Sequence, residues 1–481
     1  MSFIKLRMNI TPFSLKSKVV LILVLAISIR LAYINYVVPV DWIGDSYHHW
    51  QIAIYTLKIG LPLGRMWDLK GVEYYWPPLP TLIEASLIGI IGNTSINIMR
   101  FLNTLFGSFS VLLAYLIGTR YSKTAGITAA SILLFFPLTL NTEVLALHEP
   151  LMGLFFLMGL LFFGKGMRFY SGTMFGFSYL CHFSVYLTVP LILAMIIFKE
   201  RKVEKILPFI LGFFLVYIPY MFFLGAKTGD PLYNIRTMLT YIGVSTATMR
   251  HPLANILGYL FIPLGIVLLY LMSRRDVSTI ESILPMTLLG GYLIFWGYMF
   301  LFIGAPLSLY ELRYYWIPLV LGVMGLSELV DRVSYFKAPL FFGLSRISVI
   351  CFVISVSMLF VLSPNFSELQ DPILWDFQAS DRVADYYEKG TIISPVPHMT
   401  YRLVHDGNIL PQNILGPIYC PIVLDEKIRW LEANNVTLIY WLPDMEVDRV
   451  FPELSSGLNV PPFFVLEKLG YDRYIYEFSW K

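Results

Sequence analysis

Long apolar stretches broken by short polar turns fill the first three quarters of the chain. Apolar runs begin near Val19, Ser95, Ala125, Pro150, Phe169, Ser184, Ile206, Leu253, Glu281, Arg313 and Phe341, many of them near the roughly 20 residues an α-helix needs to cross a bilayer. This pattern predicts a polytopic α-helical membrane protein with about eleven spans. The first run, Val19 to Val38, follows Lys5, Arg7, Lys16 and Lys18 and carries no small-residue cleavage site, so it reads as an uncleaved span. Leu79 to Gly92 is apolar but only about 14 residues long, below the roughly 17 required to cross. If it did cross, every later basic turn would change sides. It is therefore expected to lie on the membrane surface or to re-enter, inside a first external loop running from Pro39 to about Thr94.

Charge fixes the expected orientation. Alternate connections carry Arg120 and Lys123, then Lys165 and Arg168, then Lys199, Arg201, Lys202 and Lys205, then Arg274 and Arg275, then Arg332 and Lys337. The positive-inside rule places these turns and the N-terminus in the cytoplasm and the mixed-sign loops 39–78, 141–149, 226–252 and 304–312 outside, in a cell membrane. At Ser363-Pro364 the pattern changes, which divides a transmembrane region (1–363, with the loop 39–94) from an external region (364–481). In the latter, Gly390 to Pro397, Asn435 to Trp441 and Tyr474 to Phe478 read as strands, and 425–433 and 462–469 as amphipathic helices. A small external C-terminal α/β domain follows.

Composition narrows the function. Of 481 residues, 57% are hydrophobic and 14% charged, against roughly 25% charged in soluble domains, which excludes a water-soluble protein. The net charge of +3 is spread between apolar runs, a topological pattern and not a nucleic-acid surface. Cys181, Cys351 and Cys420 are too scattered for a disulfide framework or a zinc site. Sequons at Asn93, Asn365 and Asn435 fall outside in this topology, and one at Asn9 inside. No internal repeat or P-loop is present.

The densest polar cluster lies in the first external loop: Asp41, Asp45, His48, His49 and Trp50, then Arg65, Trp67 and Asp68, then YYWPPLP at 74–80. Carboxylates at a membrane boundary point to function. Helical spacing from Ser46 to Leu57 puts Tyr47, Trp50, Ile54 and Leu57 on one face, so the segment is expected to lie flat on the bilayer with Asp45 as its N-cap. Asp45 is then either a cap or a working carboxylate. Asp45 and His49, four apart, could share a divalent cation (Mg or Mn) with Asp41. Arg30 and Arg100, within the first two spans, read as buried partners of a polar site or as snorkelling groups.

Four short motifs carry a family resemblance: Gly44-Asp45 with Tyr47, Pro77-Pro78-Leu79, Leu147-His148-Glu149-Pro150, and Glu311-Leu312-Arg313-Tyr314 followed by Pro318. In their order and side they resemble the GT-C superfamily of polyprenyl-phosphate-sugar-dependent glycosyltransferases, over about residues 19–330. The branch most similar holds the dolichyl-phosphate-mannose-dependent protein O-mannosyltransferases and the lipid A aminoarabinose transferase. Ser46 stands where that branch has Glu, and His48-His49 is not a standard feature, which leaves metal dependence and donor open. The resemblance implies a GT-C fold and transfer of a sugar, mannose or another hexose, from a polyprenyl or dolichyl phosphate to a protein, lipid or glycan acceptor, with inversion.

A lipid phosphate is already a good leaving group, so the chemistry needs a carboxylate to accept the acceptor's proton and a cation for the departing phosphate. The resemblance makes Asp45 the base, with Asp41 and Glu149 as further acidic candidates. Arg313 is the phosphate partner, its guanidinium fork suiting phosphate; a snorkelling flank is the plainer reading. Glu149 could equally be a helix-start residue before Pro150. Tyr314, Tyr47, His48, His49, Trp76, Pro77, Pro78, His148 and Arg65 complete the candidate substrate contacts. The oligosaccharyltransferase signature Trp-Trp-Asp-Tyr-Gly is absent, its nearest string being Leu374-Trp375-Asp376-Phe377. A polysaccharide polymerase or O-antigen ligase would rely on loop arginines and histidines, and a transporter or flippase on repeats and mid-membrane polar residues.

Overall fold

The computed structural model describes residues 15–69, 71–120, 123–199, 203–245, 252–274, 284–303, 320–322, 370–394, 396–443, 445–469 and 473–479. Helices α1 (Leu15–Tyr36) and α2 (Gly44–Tyr55) come first. A small hairpin, β1 (Trp67–Asp68) and β2 (Gly71–Val72), precedes α3 (Pro78–Ile91) and α4 (Asn97–Gly118). Next, α5 (Lys123–Phe135) and α6 (Pro137–Val144) meet at a 61° bend. Pro137 causes it: the residue before a proline is pushed out of the helical region, and Phe136 is extended (φ −72°, ψ 122°).

The bundle continues through α7 (Glu149–Gly164), α8 (Arg168–Tyr179), α9 (Thr188–Lys199), α10 (Val203–Thr228), α11 (Tyr233–Ser245), α12 (Pro252–Arg274) and α13 (Leu284–Tyr298). Each apolar run expected between Val19 and Glu281 falls on a helix, whereas those at Arg313 and Phe341 lie outside the described residues. Among the described residues, four helices are long and apolar enough to cross a membrane, or five if the bent pair counts as one span. As expected, α3 is a 14-residue apolar helix too short to be a span. Helices α8 and α10 touch backbone to backbone: a Cβ on Gly172 would lie 2.0 Å from the Phe209 carbonyl oxygen, and one on Gly212 2.0 Å from that of Phe169. Small residues at such crossings give close van der Waals packing where the hydrophobic effect offers little.

Two ends of the bundle differ in character. The first turn of α4 holds Arg100 against Val38 and Pro39, while beyond its far end Arg120 lies where a Cβ on Gly164 would meet its Nη1 at 2.8 Å. The basic turns near 120 and 165 therefore share the end opposite the polar loops 37–44 and 145–148.

The C-terminal region forms an α/β unit: α14 (Asp371–Tyr386), β3 (Thr391–Ile393), α15 (Pro397–His405), β4 (Ile414–Leu415), α16 (Leu424–Ala433), β5 (Val436–Trp441), α17 (Glu446–Val450), β6 (Phe463–Leu469) and β7 (Arg473–Phe478). The sheet order is β4-β3-β5-β7-β6, parallel across β4-β3-β5 and antiparallel across β5-β7-β6. The strands read at 390–397, 435–441 and 474–478 correspond to β3, β5 and β7, and the helix at 425–433 to α16. Segment 462–469 corrects its expectation: it is strand β6, not a helix. Pairing with β7 from Phe463↔Phe478 to Leu469↔Arg473 decides the state.

A second correction concerns α2. Instead of lying on the bilayer, it is buried from Ser46 to Tyr55 apart from His48. The Tyr401 ring of α15 lies 5.4 Å from Tyr47 and 4.9 Å from Trp50, and Phe377 of α14 meets Tyr47 edge-on at 5.8 Å. Trp50 Nε1 donates to the Thr94 carbonyl at 2.7 Å, Thr94 Oγ1 pairs with His405 Nδ1 at 2.8 Å, and the Tyr55 hydroxyl donates to the Ile414 carbonyl at 3.2 Å. Helical spacing reveals which face is apolar but not what covers it, and here the cover is the C-terminal unit above and Ala85 and Ile88 of α3 below.

Candidate active site

Two loops are stitched together beneath α2. The Asp41 carboxylate accepts from the Ile43 amide at 3.1 Å and from the Ala146 amide at 2.9 Å, tying the α1–α2 connection to the α6–α7 loop. Arg100 of α4 donates to the carbonyls of Pro39 and Val144, both at 3.0 Å, and to that of Val38. Asn103 donates to the Leu145 and Leu147 carbonyls at 2.6 and 2.7 Å, and Trp42 Nε1 to Asn141 Oδ1 at 3.2 Å. Burial raises the Asp41 pKa above the ordinary carboxylate value, and Arg100 and the two amides only partly offset it. Arg100 is thus a buried clamp on backbone, not a snorkelling group, and Asp41 a backbone anchor.

This stitching sets Asp45 in the first turn of α2 near His148 and Glu149 at the start of α7. Asp45 is half-buried. The N-cap of α2 is Ile43, two residues earlier than expected, and Asp41 secures that turn by accepting its amide. Asp45 is therefore not the N-cap, although an acidic side chain remains favourable in a first turn. Its charge acts on both His48 and His148.

One helical turn along, His49 stacks on His148 with ring centroids 3.6 Å apart and 11° between planes, and meets Trp76 edge-on at 4.8 Å. His148 is fully buried, neither ring nitrogen makes a hydrogen bond, and Glu84 Oε2 of α3 lies 3.8 Å from its Nε2. Burial, reinforced by His49 and His182, pushes the His148 pKa well below the ordinary imidazole value, so it sits neutral. Glu149 is the first residue of α7, ahead of Pro150, and is also buried, with His182 Nε2 4.0 Å from its Oε1. Trp76 stacks on Phe183 at 5.7 Å, and Pro77 and Pro78 turn the chain from it into α3, with Pro77 the N-cap and Pro78 the first helical residue.

A second network borders the first. His48 Nε2 pairs with Asp68 Oδ2 at 3.1 Å, Gln51 donates to Asp68 Oδ1, and Glu73 Oε1 accepts the amides of Tyr75 and Trp76. Burial alone would lower the His48 pKa, but Asp68, with Glu73 and Asp45 behind it, pushes it up to about 9. Burial also pulls on Asp68, yet the paired imidazole holds it below the usual carboxylate range. The site thus offers a protonated His48 and a neutral His148 on either side of the Asp45 turn.

The structure brings together Asp45, His48, His49, Trp76, Pro77, Pro78, His148 and Glu149, and uses Tyr47 to bind the Asp41 carbonyl at 3.0 Å and to support the C-terminal unit. Arg65 sits over the Trp67 ring at 5.1 Å, its Nε without a hydrogen bond. Arg313 and Tyr314 lie outside the described residues. Among the described residues no group of three or more His, Cys, Asp or Glu side chains is arranged to hold a metal ion, and His49, a candidate to share a cation with Asp45, stacks on His148. Glu84, His182, Asp68 and Glu73 join the site without having been singled out from sequence. The signal for Glu84 was available: it is the one acidic residue of an otherwise apolar 14-residue helix.

A multi-pass helical bundle with a polar, carboxylate- and histidine-lined loop cluster at one end, capped by an α/β unit, defines a class of membrane-protein fold. No protein-family model matches the sequence, and no curated protein is recognisably similar in sequence. Solved structures are similar in fold. ArnT from Cupriavidus metallidurans, bound to undecaprenyl phosphate, superimposes with a TM-score of 0.58 at 14% identity, over 97% of this chain and 99% of that one. The Archaeoglobus fulgidus oligosaccharyltransferase in the apo form gives 0.54 at 11% identity, over 89% and 69%. The AglB oligosaccharyltransferase of the same organism, in complex with an inhibitory peptide and a dolichol-phosphate, gives 0.54 at 12%, over 88% and 69%. The chain has the GT-C fold of these proteins and is a multi-pass membrane protein.

Proposed function

We propose that this protein transfers a sugar, mannose or another hexose, from a polyprenyl or dolichyl phosphate to an acceptor at the outer membrane face. The observation that supports the reading most is the convergence of Asp45, His148 and Glu149 at one end of the bundle; two of the structures similar in fold are bound to undecaprenyl phosphate and to a dolichol-phosphate. In this reading the acceptor oxygen attacks the anomeric carbon as the bond from that carbon to the phosphate oxygen breaks. The hydroxyl proton passes to the Asp45 carboxylate, and the electron pair leaves with the lipid phosphate, inverting the anomeric centre. Glu149 and His148 hold the acceptor side. The direct test is purified protein with a panel of labelled polyprenyl-phosphate sugars, scored for transfer or hydrolysis. Turnover of at least one donor is expected, and a blank across the panel from well-folded protein would overturn the reading in favour of a polymerase or a transporter.

The departing phosphate requires positive charge, and Arg313 supplies it in this proposal. Arg313→Lys keeps the charge but loses the planar fork, so transfer should fall below wild type, and Arg313→Ala should fall further. Rates against donor concentration after verified insertion give the order; wild-type kinetics in both variants would exclude the role and leave Arg65, Arg236 or a bound metal ion to stabilise the phosphate.

Orientation follows from the basic turns: residues 199–205 cytoplasmic, the C-terminal unit outside. In a background lacking the natural cysteines, Leu458→Cys, 64% exposed, should react with an impermeant maleimide in intact cells, and Met167→Cys, 39% exposed, only after permeabilisation. Reaction of both from one side would break the assignment.

A further inference from the structure

The C-terminal unit carries a pocket of its own. Helix α14 buries Ile373, Asp376, Ala379, Ser380 and Val383 against the sheet. Beside that face, Trp375, Gln378, Asp381 and Arg382 join Leu469 of β6 and Arg473 of β7 around a cavity of about 400 Å³, within the range of small-ligand sites.

The charged walls are ion-paired. Arg473 Nη1 donates to Asp376 Oδ1 at 2.7 Å, Arg382 donates through Nε and Nη2 to Glu467 Oε1 at 3.2 and 3.1 Å, and Asp381 accepts from Arg402 at 2.8 and 3.2 Å. This pairing narrows the ligand chemistry. A phosphate or other anion would compete with carboxylates that already hold both arginines. An acyl chain would desolvate four polar side chains without replacing their hydrogen bonds. An added peptide strand would run along β6, the sheet edge, where Glu467 and Lys468 place charge against it. An uncharged, hydroxyl-rich molecule with one apolar face satisfies every wall: its hydroxyls meet the amide of Gln378 and the outer edges of the paired charges, and its C–H face meets Trp375, 44% exposed.

We propose that this pocket is a glycan-binding subsite, with a pyranose ring against Trp375 and its hydroxyls hydrogen-bonded to Gln378, Asp381 and Arg382. Its use rests on the glycosyltransferase reading: it would hold an acceptor glycan near the transfer site. Phe377, on another side of the same helix, touches Tyr47 of α2, so α14 joins the pocket to the helix that carries Asp45.

The test is binding of mannotriose, maltotriose and chitotriose to detergent-purified full-length protein, followed by saturation-transfer NMR and titration. At least one probe should bind. Trp375→Ala should weaken it about tenfold or more and Trp375→Phe less, because the aromatic face remains; Gln378→Ala should weaken it while leaving the fold unaltered. Absence of binding by every probe, or equal binding by wild type and Trp375→Ala, would overturn the subsite. Binding is read without turnover: a donor panel that stays blank beside intact glycan binding removes the transferase reading alone, and turnover without glycan binding removes the subsite alone.

Discussion

Asp45→Asn is expected to lower transfer by about 10²–10⁴-fold, the range typical of a lost general base, with folding and insertion intact. The amide matches the carboxylate in shape but cannot take up the acceptor's proton. Stability should change little, because Ile43 is the N-cap of α2 and Asp41, not Asp45, secures it; the lost first-turn charge costs only about 0.3–1 kcal/mol. Asp41→Asn is the informative contrast. Asp41 is buried and its two oxygens each accept a backbone amide, so replacing one oxygen by an NH₂ group sets donor against donor. That variant should lose expression and thermal stability along with any activity. Single-turnover rates and unfolding midpoints of both variants separate the roles. Near-normal turnover in Asp45→Asn would reduce Asp45 to a favourable first-turn charge and move the search for a base to Glu149.

Glu143→Leu should be the most destabilising single change among the described residues. Arg30 in α1 and Glu143 in α6 are both 0% exposed, and Arg30 donates to Glu143 Oε2 through Nε at 3.0 Å and through Nη2. Its Nη1 donates to the Ala26 carbonyl at 3.2 Å. Helix α4 presses on the pair: a Cβ on Gly107 would sit 2.7 Å from Glu143 Cδ. Removing one partner of a buried pair leaves the other charge uncompensated, at about 3–5 kcal/mol. Replacing both by apolar residues avoids that penalty, so Arg30→Met with Glu143→Leu should recover much of the loss. Apparent unfolding midpoints in detergent for the two single variants and the double variant provide the measurement. A double variant as unstable as either single one would mean that packing around Gly107, and not charge pairing, sets the cost.

Much of this site was legible as residue types. A carboxylate, two histidines and a tryptophan in one loop, and His148-Glu149 in the next, stand out against apolar flanks because burying such groups is costly unless they are used or paired. Their partners were harder to see. Glu84 lies in a helix read only for its length, and His182 is a lone histidine between α8 and α9. Neither gains meaning until α3 and α7 bring it to His148 and Glu149.

The sequence by itself determined where helices form among the described residues, which turns are basic, that an α/β unit follows the apolar runs, and which loop gathers polar groups. Those properties follow from local composition and period, which each segment carries alone. Only the tertiary structure decided that the aromatic face of α2 packs under α15 and not on lipid, that 462–469 pairs as a strand, and that His49 stacks on His148. It also decided that Asp41 anchors backbone while Asp45 stands clear of the cap. In each case the deciding partner lies far along the chain, up to hundreds of residues for α2, and an apolar stripe or a lone carboxylate encodes its need for a partner without encoding which partner meets it.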